Sequence, residues 1–171
     1  DANETAAAWR AALERRDGPT ALVLTRQNLP TLDRSETRAV EVHRGAYVLW
    51  DSAATPQAIL IATGSEVPLA LAAARELAAT GVAVRVVSMP SWELFEQESA
   101  AYRRSVLPAG IRVRLAVEAG RTVGWERYVG EKGGVLGVDR FGASAPAGEM
   151  FAHIGLTVDG IVKAVRRLLE Q

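Results

Sequence analysis

Residues 58–81, AILIATGSEVPLALAAARELAATG, decide how this chain folds. The first five, Ala58-Ile59-Leu60-Ile61-Ala62, form a short continuous apolar run. That is the pattern of a strand buried on both faces. Thr63-Gly64-Ser65 interrupts the run, and Ser65 is a residue type that opens helices by accepting from a free backbone N–H. Apolar positions then fall at Val67, Leu71, Ala74 and Ala78, which is helical spacing. Gly81 can take the left-handed conformation that ends a helix, and a second apolar run follows over residues 82–87. Strand, helix, strand makes a βαβ unit, which requires a parallel pair and a right-handed crossover.

Composition narrows the function classes. The chain has 171 residues, enough for one domain or for one domain and part of another. Lys and Arg total 20 and so do Asp and Glu, so no bulk charge favours nucleic acid or an anionic membrane surface. The absence of cysteine excludes disulfides, thiolate metal ligands and Cys nucleophiles. Two histidines, His43 and His153, do not suit a histidine-rich metal site. No apolar segment reaches the ~20 residues of a membrane helix, and the N-terminus lacks the pattern of a signal peptide. The expected class is a soluble cytoplasmic α/β protein.

Working outward, residues 1–16 read as a helix with Asn3 as N-cap and with Trp9 and Leu13 on one face. Thr20-Ala21-Leu22-Val23-Leu24-Thr25 reads as a strand. Residues 33–44 carry Asp33, Arg34, Glu36, Arg38, Glu41 and Arg44 and read as a solvated connector containing a domain boundary. A lone helix and strand cannot bury both faces, so the segment before the connector is expected to belong to a larger unit. After Gly45 the pattern is complete. Short strands are expected over residues 46–50, 111–117 and 133–138. The strand over 111–117 should show one polar face, through Arg112, Arg114 and Glu118. Helices are expected after Ser91, over 100–107, within 120–130, over 147–153, and from the N-cap Thr157 onward, with Val158, Ile161, Val162, Val165, Leu168 and Leu169 on one face. The fold class is α/β: a three-layer α/β/α arrangement on a mostly parallel five-stranded mixed sheet. The strand over 46–50 is joined to the next by too short a turn for a parallel crossover, so it is the antiparallel one.

Three positions suit polar chemistry. Gly64 and Ser65 lie between a strand and a helix N-terminus, where free N–H groups favour an anion. Residues of these types also suit an ordinary turn, and Glu66 adds negative charge to it. Arg26 follows a strand, where open sheets place ligand-binding residues, and a guanidinium can grip phosphate or carboxylate through two hydrogen bonds. A salt bridge to Asp33 or Glu36 would equally explain it. Glu118 ends a strand and suits a general acid or base, a helix cap or an ion pair with Arg121. His153 suits a helix C-cap or the core. Trp92, Trp125 and Tyr128 suit core or interface anchors.

Five motifs occur in order: Thr25-Arg26-Gln27-Asn28-Leu29, Ile61-Ala62-Thr63-Gly64-Ser65-Glu66-Val67, Val87-Ser88-Met89-Pro90-Ser91, Val117-Glu118-Ala119-Gly120 and Phe141-Gly142-Ala143-Ser144-Ala145-Pro146. Together they resemble the C-terminal part of the transketolase family. The resemblance implies a thiamine diphosphate- and magnesium-dependent transferase of the pentose phosphate pathway, a homodimer moving a two-carbon ketol unit between sugar phosphates. It implies that residues 1–32 are the tail of the pyrimidine-binding domain, 33–44 a connector and 45–171 the family's C-terminal domain. It gives Arg26 the role of binding substrate phosphate. The family's catalytic histidines, thiazolium-activating glutamate and magnesium ligands precede this region. No cofactor contact and no catalytic residue is therefore assigned here, and the segment by itself is expected to be inactive. Its partners would be the remainder of the transketolase chain and sugar phosphates. A free-standing α/β anion-binding or interaction module is the alternative.

Overall fold

The computed structural model describes all residues from 1 to 171. Five strands form one sheet: β1 (Tyr47–Asp51), β2 (Ala58–Ala62), β3 (Val84–Ser88), β4 (Val113–Val117) and β5 (Gly134–Leu136). Their order across the sheet is β1-β3-β2-β4-β5. β2 pairs in parallel with β3 and with β4, β4 pairs in parallel with β5, and β1 runs antiparallel to β3. The expected mixed sheet with one antiparallel strand is therefore present.

The helices are α1 (Ala2–Glu14), α2 (Glu66–Ala79), α3 (Trp92–Gln97), α4 (Ala100–Val106), α5 (Glu126–Val129), α6 (Ala147–Ile154) and α7 (Val158–Leu169). A 3₁₀ turn covers Val42–Arg44. β2 explains the layering. Successive side chains of a strand point to opposite faces, and all five of its residues are buried. Ala58, Leu60 and Ala62 join one core with Val67, Leu71 and Leu77 of α2 and Ile161, Val162 and Val165 of α7. Ile59 and Ile61 join a second core with Phe95 of α3, Val106 of α4, and Trp125, Tyr128 and Val129 around α5. A continuously apolar strand is what two covered faces require.

β4 departs from expectation. Its polar face is not solvated, because α4 and α5 cover it. Ala116 is fully buried, and the half-buried Arg114 donates to the carbonyls of Ile111, Tyr128, Leu107 and Pro108. A long side chain can bury its stem and carry its donors to the loops at the strand's end. Burial alone holds this guanidinium below its ordinary pKa.

Local signals account for most boundaries. Ser91, Ser99 and Thr157 have extended or near-extended backbones, and their hydroxyls accept from Leu94, Tyr102 and Gly160 N–H. Gly45 needs both its positive φ of 77° and its missing Cβ. A methyl there would stand 2.1 Å from the Phe95 nitrogen and 2.4 Å from the Ser91 carbonyl oxygen.

The chain before β1 differs more. α1 is capped by Asp1, not Asn3. Thr20-Ala21-Leu22-Val23-Leu24-Thr25 is in no sheet, and Val23 and Leu24 are 95% and 54% exposed. No strand of this chain pairs with the segment. Residues 33–44 are not simply solvated. Thr37 and Val42 are buried, and Arg38 N–H donates to the Leu49 carbonyl. Most of their charges are paired: Arg34 with Asp1, Arg38 with Asp51, Glu36 with Arg75, and Arg44 with Glu98 and Glu41. A charged stretch can thus be structured by ion pairs without contributing a core.

Candidate functional site

The carboxyl ends of β2, β3, β4 and β5 lie along one edge of the sheet, and antiparallel β1 begins there with Tyr47. From β2 the chain crosses to β3 on one side, and from β4 to β5 on the other. The crevice between β2 and β4 is therefore a topological switch point, the usual ligand position in open α/β sheets.

The Gly64 turn opens into this crevice. Gly64 has φ 53°, so the backbone turns within one residue and Ser65 is already helical at φ −66°, ψ −18°. A capping side chain needs extended backbone. Ser65 accordingly does not cap α2, contrary to the expectation, and its hydroxyl donates to the Glu66 carboxylate instead.

Glu66 is only 3% exposed. Burial pushes its pKa up to about 7; the Ser65 hydroxyl opposes the rise, Glu118 adds to it, and the Ala119 amide opposes it again. Glu118 is raised too, chiefly by burial, while Trp125 and the Gly120 amide act in the opposite direction. Arg121 does not pair with Glu118; it pairs with Asp139. The switch point thus contains two partly desolvated carboxyl groups of the chain itself. With its hydroxyl engaged by one of them, Ser65 has little to offer an external anion, and Glu66 repels one.

Arg26 lies at the same edge. The position a Gly64 Cβ would occupy is 3.9 Å from Thr25 Cγ2, so the residue before Arg26 lies against the Gly64 turn. Arg26 is exposed and makes no ion pair or side-chain hydrogen bond. Both acidic groups that might have neutralised it are engaged. Asp33 accepts from Ser35 N–H and Oγ, and Glu36 pairs with Arg75. The edge therefore presents a guanidinium that no acidic group of the chain engages, and its paired N–H donors are suited to gripping an oxyanion.

Three polar residues at this edge were not singled out from sequence. Glu4 Oε1 accepts from Tyr47 Oη at 2.7 Å and from Ser88 Oγ. Tyr47 and Ser88 are fully buried, and burial followed by the Glu4 charge pushes the Tyr47 hydroxyl far up. The available signal was polarity in the wrong place: a serine closing an apolar strand and a tyrosine opening one.

The remaining candidates do not converge here. His43 is exposed in the 3₁₀ turn. His153 is exposed in the last turn of α6 and belongs to no core; Gly155, in the left-handed conformation, ends that helix. Trp92, Trp125 and Tyr128 form an aromatic cluster with centroids 5.0–6.1 Å apart, which anchors the second core. No three His, Asp or Glu side chains come together in a way that could hold a metal ion.

Residues 45–157 match the family model described as the transketolase-like TK C-terminal domain. The chain is 54% identical over 171 residues to the transketolase of Geobacillus stearothermophilus, covering 99% of this chain and 26% of that protein. It superimposes on the transketolase of Leishmania mexicana with a TM-score of 0.89 at 41% identity, covering 99% of this chain and 24% of that one. The transketolase of Pichia stipitis in complex with sedoheptulose 7-phosphate gives a TM-score of 0.89 at 37% identity, over the same shares. The chain spans about a quarter of the length of the transketolases it matches. On sequence, fold and the order of its motifs, the chain belongs to the transketolase C-terminal domain family.

Proposed function

We propose that this chain works as the C-terminal part of a transketolase, with Arg26 gripping the phosphate of a sugar phosphate. The whole enzyme would be a cytoplasmic homodimer that uses thiamine diphosphate and magnesium, held by residues outside this chain, to transfer a two-carbon ketol unit. In that organisation residues 1–32 complete the pyrimidine-binding domain, 33–44 connect, and 45–171 form the C-terminal domain. The observation that carries the reading is the exposed, unpaired guanidinium of Arg26 at the carboxyl edge of the sheet. A relative of the same fold is described in complex with a sugar phosphate, which supports that ligand class. The rival reading, a free-standing module binding anions at Gly64 and Ser65, is disfavoured by the buried Glu66 carboxylate that engages Ser65.

The test is Arg26→Ala in the complete enzyme, assayed with sedoheptulose 7-phosphate and with free sedoheptulose. Removing one partner of a charged pair costs about 2–4 kcal/mol, so kcat/KM for the phosphorylated ketose should fall by about 30- to 900-fold. The unphosphorylated ketose should change little. Equal losses for both would mean that Arg26 does not bind phosphate.

A further inference from the structure

The helices over the second core enclose a polar cleft that ketol transfer leaves unused. It opens between α3, α4 and α5, has a volume of about 240 Å³, and is floored by the buried Phe95, Leu107 and Tyr128 rings and side chains. Sites for drug-sized ligands begin near ~300 Å³, so this one suits a small molecule. All of its lining residues fall between positions 95 and 128, inside the 45–157 stretch that matches the family model and in the domain whose sheet this chain completes by itself.

The cleft is electrostatically one-sided. Arg103 and Arg104 come from α4 and Arg127 from the short α5, against a single carboxylate, Glu96. Arg103 pairs with Glu96, and both remain part-exposed. The Arg127 guanidinium stands 5.9 Å from the centroids of the Trp92 and Tyr128 rings. Aromatic faces hold a guanidinium in place without neutralising it. A net positive charge is thus kept over an apolar floor, where attraction to an anion is screened less than in open water.

Tyr128 points independently to a ligand. The residue is 3% exposed, yet its buried hydroxyl has no hydrogen-bond partner. Burial pushes its pKa up to about 12, so it stays a proton donor. An orphaned buried hydroxyl costs stability that a phenylalanine would not. Because atoms of this chain enclose the hydroxyl, no residue from elsewhere in the enzyme reaches it where it stands. Its charged neighbours are Glu96 and Arg127, both exposed side chains that line the cleft. An anion that draws Arg127 inward and turns Glu96 aside releases Arg103 and uncovers the hydroxyl as a further donor.

We propose that this cleft binds a small molecule through a compact dianion, a phosphoryl group or a pair of carboxylates, which replaces the Glu96 carboxylate and takes Arg103, Arg127 and the Tyr128 hydroxyl as donors. Guanidinium forks match such oxyanions through paired hydrogen bonds. The site lies in the helical layer, not at the carboxyl edge with Arg26, and it does not depend on the phosphate-binding reading of that residue.

The test uses the complete enzyme, with inorganic phosphate and succinate as probes. The readout is modification by phenylglyoxal, an arginine-specific reagent, mapped by peptide mass spectrometry. Arg127 should react in the unliganded enzyme. At about ten times its dissociation constant, a bound probe should slow modification of Arg103 and Arg127 by about tenfold. Protection by phosphate alone assigns the site to phosphate esters, by succinate alone to dicarboxylates, and by both to dianions of either kind; each supports the proposal. Arg26→Ala should leave the protection unchanged, which separates this cleft from the substrate site. Tyr128→Phe should raise the probe concentration for half-protection by about tenfold, the effect of one hydrogen bond to a charged group, while the unliganded enzyme unfolds at no lower temperature. Arg127→Gln should raise that concentration at least as much, read at Arg103. No protection by either probe, or equal protection by chloride at matched ionic strength, would overturn the proposal. So would an Arg127 that is unreactive in the unliganded enzyme, because the rest of the enzyme would then close the cleft. A Tyr128→Phe enzyme that unfolds earlier would overturn it as well, by showing that the hydroxyl is already bonded.

Discussion

Neutralising Glu66 should stabilise the fold, and more so as pH rises. The residue is 3% exposed and its pKa is pushed up from 4.5 to about 7, first by burial. Between those values the folded chain holds a proton that the unfolded chain has released. Stability therefore falls as pH rises through that window, because ∂ΔG/∂pH follows the protons bound in the unfolded state minus those in the native state. A shift of that size is worth about 3 kcal/mol at 1.36 kcal/mol per unit. The loss is complete above pH ~7 and absent below pH ~4.5, where both states are protonated. Glu118, shifted in the same direction, steepens the slope. Lowered carboxylates such as Asp139 and Glu98 act oppositely, so the measurement must be a difference between proteins. Glu66→Gln keeps the shape and an acceptor for the Ser65 hydroxyl while removing the charge. Thermal unfolding of both proteins across pH ~4.5 to ~8 should give matching midpoints at the acid end. At the alkaline end the variant should unfold about 6–12 °C higher, at 2–4 °C per kcal/mol for a chain of this size. A difference that does not change with pH, or one that favours the wild type as pH rises, would refute the burial argument.

Two further outcomes follow from packing and charge. Gly45→Ala forces a methyl to 2.1 Å from the Phe95 nitrogen at a positive φ, so it should lower stability by more than about 3 kcal/mol or prevent folding, read by denaturant titration or soluble yield. Arg85→Met should cost about 3 kcal/mol, because it strips a buried, two-pronged partner from Asp51; Arg38→Met, which removes a 59%-exposed partner from the same carboxylate, should cost under about 1 kcal/mol. Chemical denaturation of the two variants in parallel checks the contrast.

Much of the fold was legible because neighbours in sequence carry it. The apolar run of β2, the helical spacing of α2 and the seryl and threonyl caps at Ser91 and Thr157 are local signals, and each acts within a few residues. The antiparallel β1 followed from the length of its connection to β2. Errors occurred where distant groups decide. Ser65 looks like a cap until Gly64 places it inside the helix. The polar alternation of β4 looks like a solvated face until α4 and α5 cover it. Residues 20–25 have the composition of a strand and stand unpaired here, as a strand of an incomplete flanking unit would.

The candidate site divides in the same way. Sequence alone placed Arg26 after an apolar segment and Gly64 at a strand-to-helix turn, because those are properties of the chain's own order. It also identified the family, since five motifs in register survive as words. Only the tertiary structure put Thr25 against the Gly64 turn, filled the switch point with Glu66, left Arg26 without an acidic partner, and joined Glu4 to Tyr47 and Ser88 across intervals of 43 and 84 residues. The physical reason is that desolvation, ion pairing and the convergence of hydroxyls depend on distance in space, and a sequence records only distance along the chain.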